Sequence, residues 1–173
     1  MGSLRTAVEI NAPPAVVRQK FLDFTSLPTY HPNGFVASIT PANPTTTPLD
    51  LKPGDKLHCA MGHGRLKFSP KVVHNSPEEF SWYADLPEFL PWIFGGTHYF
   101  RFEEVAGRAG TGEGVRTRLV HGENFTGLLA GVYGEGWLSK TVGLKKGGEE
   151  GFNAFNGDLK RWVERERERE RGQ

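Results

Sequence analysis

Two runs decide how this chain folds: Thr97-His98-Tyr99-Phe100-Arg101-Phe102, and Thr117-Arg118-Leu119-Val120-His121-Gly122-Glu123-Asn124-Phe125. Both alternate with the period of a β-strand, in which successive side chains point to opposite faces. His98, Phe100 and Phe102 share one side of the first run, while Thr97, Tyr99 and Arg101 take the other. In the second run Thr117, Leu119, His121, Glu123 and Phe125 fall together. Gly107, Gly110, Gly112 and Gly114 lie between the runs, so the two read as a hairpin with a flexible tip. A register that leaves residues 105 to 114 as the connecting loop sets His98 directly opposite His121. Directly opposed Cβ atoms lie about 5 Å apart, close enough for two imidazoles to share a ligand, a water or a proton. Glu123 follows on the same face, placed to orient or charge an imidazole. A face that is apolar except for three ionisable groups is either a polar network inside a core or the wall of a cavity.

Outward from this hairpin, the N-terminal side begins with an alternating strand from Leu4 to Ile10, its Leu4, Thr6, Val8 and Ile10 on one side. Asn11-Ala12-Pro13-Pro14 then opens a helix, because proline is tolerated in the first turn, and Val17, Phe21 and Phe24 follow at helical spacing. Ser26 to Tyr30 predicts a second short helix, stopped by His31-Pro32-Asn33-Gly34. Strands are expected over 35 to 40, 55 to 61, 66 to 74 with an interruption at Pro70, and 79 to 85, with a stiff Pro-rich loop over 41 to 54. The segments 86 to 96 and 127 to 148 are too apolar for plain loops and read as lids or flaps. The longest helical signal runs from Glu149 to about Arg169, with Phe152, Phe155, Leu159 and Trp162 three and four apart. Strands joined by short turns and followed by one amphipathic helix predict α+β packing of that helix on an antiparallel sheet.

A chain of 173 residues fits one domain, expected over 1 to 163, with 164 to 173 as a charged helix end or tail. The net charge of +1 supplies no field for nucleic acid or anionic lipid, so no nucleic-acid partner is expected. One cysteine, Cys59, forms no internal disulfide, which suits a reducing compartment. With neither an apolar leader nor a window long enough to span a bilayer, no stable membrane insertion is expected, and the location is read as cytoplasmic. His58, Cys59 and His63 have metal-ligand chemistry, but alternation sends His58 and Cys59 to opposite faces and no second cluster completes a set, so no metal site is expected. The glycines at 107 to 114 do not lead from a strand into a helix, and neither a serine elbow nor a phosphate-loop lysine is present, so no cofactor is expected.

Val8-Glu9-Ile10-Asn11-Ala12-Pro13, running into a helix with Phe21-Leu22-Asp23-Phe24, resembles the opening of the START-like helix-grip superfamily (SRPBCC), whose members include polyketide cyclases and CoxG-like proteins. The run Thr117 to Gly127 resembles the last strand of such proteins, and Phe152 to Trp162 their closing helix. The resemblance implies a curved seven-stranded antiparallel sheet wrapped around the long C-terminal helix, two short helices after the first strand, and an elongated ligand cavity between sheet and helix. The 127 to 148 stretch departs from the compact members at the mouth of that cavity. Fold alone does not yield function in such a family. Under this resemblance Met61, Trp82, Phe100, Leu119, Phe125, Phe152 and Phe155, otherwise core residues, become an apolar lining. Tyr30 and His31, at the end of the second short helix, come to the cavity mouth.

The function expected on these grounds is binding of a hydrophobic, aromatic or polyketide-derived small molecule, with cyclisation or dehydration by imidazole acid/base chemistry. His98 and His121 would transfer protons and Glu123 would orient them, since neutral histidine works as acid or base near neutral pH. The alternative is a non-enzymatic carrier or sensor in which the same groups only hydrogen-bond the ligand. A third reading is an interaction module that uses the apolar 86 to 96 segment as its contact patch.

Overall fold

The first strand, β1 (Gly2–Ile10), buries Leu4 and Ile10 and exposes Ser3, Arg5, Ala7 and Glu9, as alternation requires. The chain leaves it in a tight turn, with the Ala12 N–H donating to the Ile10 carbonyl at 2.8 Å, and Pro14 starts helix α1 (Pro14–Leu22). Val17 and Phe21 face inward. Asp23 ends the helix by accepting hydrogen bonds from the Thr25 and Ser26 hydroxyls, each at 2.6 Å, and a 3-10 turn over Phe24–Ser26 leads into the single-turn helix α2 (Leu27–Tyr30). The two expected short helices are therefore present. The computed structural model describes residues 2–32, 34–61, 64–85, 95–106, 114–127 and 144–172, without the side chains of 144–146.

Among the described residues seven further strands follow: β2 (Val36–Pro41), β3 (Leu57–Met61), β4 (Leu66–Phe68), β5 (Lys71–Asn75), β6 (Glu79–Asp85), β7 (Gly95–Val105) and β8 (Arg116–Thr126). They form a five-stranded sheet in the order β1-β8-β7-β6-β5 and a three-stranded sheet in the order β2-β3-β4. All pairs are antiparallel. The expected count of seven strands in one sheet is corrected here, and Pro70 is the reason. Proline has no N–H to give to a ladder, so the predicted 66 to 74 strand divides there and its halves join different sheets. The sheets stay stitched at that corner by the Leu57 N–H on the Pro70 carbonyl (2.9 Å) and the Val72 N–H on the Asp55 carbonyl (2.8 Å).

The long C-terminal helix, α3 (Leu144–Arg171), starts earlier than its apolar periodicity predicts, because its first turns carry glycines in place of spaced hydrophobic residues. Two of these glycines permit close packing: a Cβ at Gly148 would lie 2.9 Å from Leu4, and one at Gly151 would lie 3.1 Å from Phe35. Further along, Phe152, Phe155, Asn156, Leu159 and Val163 form the buried stripe. The charged run continues the helix: the Glu164 carboxylate accepts the Asn11 N–H at 2.8 Å, and Lys20 pairs with Glu170 at 3.3 Å. The main core gathers Phe21, Phe24, Leu57, Phe80, Trp82, Phe100, Phe102, Leu119, Phe155 and Leu159 between the sheets and α3.

The β7–β8 register also differs from the expected one. His98 pairs with Glu123, and His121 with Phe100. A slip of this size keeps every inward residue inward, so alternation cannot distinguish the two registers. Cross-strand chemistry does. The expected register would set Arg101 opposite Arg118, whereas the observed one sets Glu103 opposite Arg118 with 4.0 Å between their charged atoms. It also lays the Tyr99 ring over Gly122, where a Cβ would come within 2.4 Å of the Tyr99 hydroxyl.

Candidate functional site

His98 and His121 remain together despite the changed register, as diagonal neighbours on the inward face of β7 and β8. Their Nε2 atoms are 2.7 Å apart, a hydrogen-bond distance that requires one nitrogen to carry a hydrogen and the other a lone pair. Both rings are buried, at 2% and 0% exposure, so no solvent competes for that bond. On the far side of His121, Nδ1 lies 2.9 Å from the Asn156 side-chain oxygen on α3. The Asn156 amide nitrogen then donates to the Thr6 hydroxyl at 2.9 Å, and that hydroxyl reaches the His121 carbonyl at 3.4 Å. On the other side, Glu123 Oε2 stands 3.7 Å from His98 Nδ1. The result is a continuous polar chain, Glu123–His98–His121–Asn156–Thr6, running from the half-buried Glu123 into the core.

Aromatic rings hold the imidazoles flat. Trp82 stacks on His98 with centroids 4.7 Å apart and planes 2° from parallel. His121 lies between Phe152 (3.9 Å, 12°) and Phe100 (4.2 Å, 27°). Rings packed on both sides leave His121 little freedom to rotate. Its pKa falls well below the ordinary 6.5, first because burial penalises the charged ring, then because of His98, with a smaller lowering from His31; the Asn156 hydrogen bond opposes the shift. His121 therefore stays neutral near pH 7.

Tyr30 and His31 reach the same cluster through Phe155. Tyr30 stacks on Trp162 at 4.7 Å and meets the Phe155 edge at 6.2 Å; burial raises its pKa and keeps the phenol protonated. His31 packs edge-on to Phe155 at 5.3 Å, and its Nδ1 lies 2.7 Å from the Asp158 carboxylate on α3. Its other nitrogen is buried against Gly34 with no hydrogen-bond partner among the described residues. Leu119 and Met61 lie in the main core, while Phe125 joins Leu4 and Phe152 in a smaller cluster beside it. Of the residues read as candidates from the sequence, His98, His121, Trp82, Phe100, Phe152 and Phe155 form one mutually contacting group. Glu123 stands at its rim.

Asn156 and Thr6 were not among those candidates. A signal for Asn156 existed: it lies four residues after Phe152 and three before Leu159, a polar residue in an otherwise apolar stripe. Asp158, the partner of His31, left no local signal, since 127 positions separate them.

Elsewhere, His58 is exposed and Cys59 buried, as alternation predicts, and burial pushes the Cys59 thiol up to about 12, so it is not a thiolate. Among the described residues no group of three His, Cys, Asp or Glu side chains could hold a metal ion; His63 lies outside them. The segments read as lids lie outside them at 86–94 and 128–143. No helix among the described residues is long and apolar enough to cross a membrane.

No family model matches the chain, and no curated protein matches it. Solved structures do. A hypothetical protein, jhp0584 of Helicobacter pylori, superposes with a TM-score of 0.64 at 13% identity, covering 94% of this chain and 88% of that one. The Zhui aromatase/cyclase of Streptomyces sp. R1128 gives a TM-score of 0.58 at 13% identity, covering 94% and 93%. XoxI of Bacillus cereus gives 0.56 at 15% identity, covering 94% and 96%. The architecture is helix-grip-like. At these identities the likeness concerns the fold, so the helix-grip frame says where a site can lie and not what it does.

Proposed function

We propose that the chain binds a hydrophobic, aromatic or polyketide-derived small molecule at the Glu123 end of the imidazole chain and catalyses its cyclisation or dehydration by acid/base chemistry. The observation that carries this reading is the 2.7 Å contact between two buried imidazole nitrogens inside an aromatic cage, continued to a carboxylate at the rim. A core built only for stability has little use for such a group. Burying an imidazole costs desolvation, and a phenylalanine would fit the same stack. The helix-grip frame shared with an aromatase/cyclase agrees with a ligand held between sheet and helix.

In this proposal His121 has a different part from the proton-transfer role expected from the sequence. His121, neutral and engaged at both nitrogens, serves as a fixed partner for His98 and carries no proton of its own to the ligand. His98 Nδ1 and Glu123 form the exchanging end. An acidic C–H beside a ligand carbonyl gives its proton to this end as the enolate forms, and the same proton returns to a leaving hydroxyl when water is lost.

The test uses 2-tetralone, an enolisable bicyclic ketone. Binding is followed by tryptophan fluorescence, and exchange of its α-hydrogens in deuterated water by mass spectrometry. The expected result is exchange above the buffer rate that falls by about 10²-fold in His98→Gln and Glu123→Gln while affinity is kept. Binding without exchange would favour the carrier reading. Absence of binding, together with no small molecule retained in native mass spectrometry of the purified protein, would overturn both.

A further inference from the structure

Hydrogen-bond bookkeeping along the buried chain assigns a role to a residue that never meets the ligand. A neutral imidazole has one donor and one acceptor nitrogen, and a side-chain amide has a donor end and an acceptor end. The hydrogens of this chain must therefore all point one way or all the other. Thr6 makes the choice. Its hydroxyl turns toward the His121 carbonyl at 3.4 Å, which leaves its oxygen free to accept from the Asn156 amide nitrogen at 2.9 Å. The amide oxygen then faces His121 Nδ1 at 2.9 Å, so that nitrogen carries the hydrogen and Nε2 carries the lone pair. At 2.7 Å from that lone pair, His98 Nε2 must be the donor. A neutral His98 is then bare at Nδ1, where it faces the Glu123 carboxylate at 3.7 Å. Two acceptors face one another there unless a proton is shared between them.

Turning the amide over reverses everything. Thr6 would donate to the amide oxygen, the amide nitrogen to His121 Nδ1, His121 Nε2 to His98 Nε2, and His98 Nδ1 to Glu123. His98 would then present a hydrogen to Glu123 and have no lone pair there with which to accept one. The direction of the chain thus decides whether His98 can accept a proton at the rim.

We propose that Asn156, oriented by Thr6, is a positioning residue that holds the hydrogen of His121 on Nδ1 and so leaves His98 Nδ1, beside Glu123, as the proton-accepting end. The assignment rests on the proton-transfer reading above for its purpose, but its test needs no turnover. Asn156 is well placed for such a role: it is 1% exposed on α3, between Phe152 and Leu159, where no water can substitute for its amide. The stacking of His121 between Phe100 and Phe152 prevents the ring from escaping the constraint by turning.

The experiment labels the histidines with nitrogen-15 in the full chain and reads, from two-bond proton–nitrogen correlations, which ring nitrogen of His121 and of His98 carries hydrogen. In the wild type, hydrogen is expected on His121 Nδ1 and on His98 Nε2. Asn156→Asp, which offers only acceptors to Nδ1, keeps His121 in this tautomer. Asn156→Leu, which offers nothing, shifts His121 toward the Nε2–H tautomer. Thr6→Val, which removes the orienting hydroxyl and spares the buried helix stripe, produces a mixture and serves where Asn156→Leu does not fold. Hydrogen on His121 Nε2 in the wild type would overturn the proposal, and so would a tautomer unmoved by both Asn156→Leu and Thr6→Val. With 2-tetralone, Asn156→Leu is expected to lose about 10²-fold in exchange at unchanged affinity, with recovery in Asn156→Asp. If the wild type shows the expected tautomers but no exchange, the positioning stands and the proton-transfer reading falls.

Discussion

Acid should weaken this fold at a place that can be named. Below pH 6.5 the His121 ring of the unfolded chain binds a proton, while the folded chain, whose His121 pKa lies well below that value, does not. The unfolded state then binds more protons, so stability falls as pH falls; above about pH 7.5 both states are nearly proton-free at this ring and the penalty fades. A histidine that titrates at its ordinary value in the unfolded chain and stays neutral in the fold costs at most about 2 kcal/mol between pH 7 and pH 5. The assay is urea denaturation from pH 7 to 5 on the wild type and on His121→Gln, which removes the titrating ring and keeps a hydrogen-bonding side chain. The wild type should lose more than the variant, by up to about 2 kcal/mol, roughly a 1 M difference in midpoint shift at ordinary urea slopes for a domain of this size. Parallel losses in the two proteins would refute the reasoning, as would a His121 resonance titrating near pH 6.5 in the folded wild type.

Two glycines offer further tests because a single methyl group at each meets a named atom. In Gly34→Ala the new Cβ would sit 1.8 Å from His31 Nε2, so the ring must leave its place and release Asp158; a loss of about 1.5–3 kcal/mol in urea denaturation is expected, and a change below about 0.5 kcal/mol would contradict the packing. In Gly96→Ala the Cβ would approach Glu123 Oε1 to 2.7 Å, and that carboxylate, half-buried at the end of a flexible side chain, can swing aside. Stability should therefore change by less than about 1 kcal/mol, while 2-tetralone exchange falls toward that of Glu123→Gln; exchange equal to the wild type would show that the position of Glu123 is immaterial.

The helix-grip order of elements was legible in the sequence because each segment carries its own periodicity: β1, β7 and β8 alternate, and α3 repeats Phe152, Phe155 and Leu159 at helical spacing. The inward placement of His98, His121 and Glu123 follows from the same alternation. What sequence could not give was whatever depends on a choice between states of equal periodicity. The β7–β8 slip preserves both faces, and only the pairing of Glu103 with Arg118 and the seat of Tyr99 on Gly122 favour one register. The division of the sheet at Pro70 depended on which neighbours its halves would find. Contacts such as His31 with Asp158 or His121 with Asn156 join distant elements and have no local signature.

The register correction also changes the chemistry. Direct opposition of His98 and His121 would have made two equivalent imidazoles facing one ligand. Diagonal placement makes them unequal: Glu123 becomes the cross-strand partner of His98, and His121 is drawn back between Phe100 and Phe152 toward Asn156. One imidazole thus faces a carboxylate at the rim, and the other faces an amide in the core. Burial, with His98 beside it, holds His121 in its neutral form, as suits a fixed support for the imidazole at the rim. For the fold alone, an apolar residue at 121 would serve as well, since the stack is aromatic on both sides and the desolvation cost of the imidazole would disappear. The presence there of a neutral imidazole, satisfied at both nitrogens by partners from β7 and α3, is the observation on which the proposed proton transfer rests.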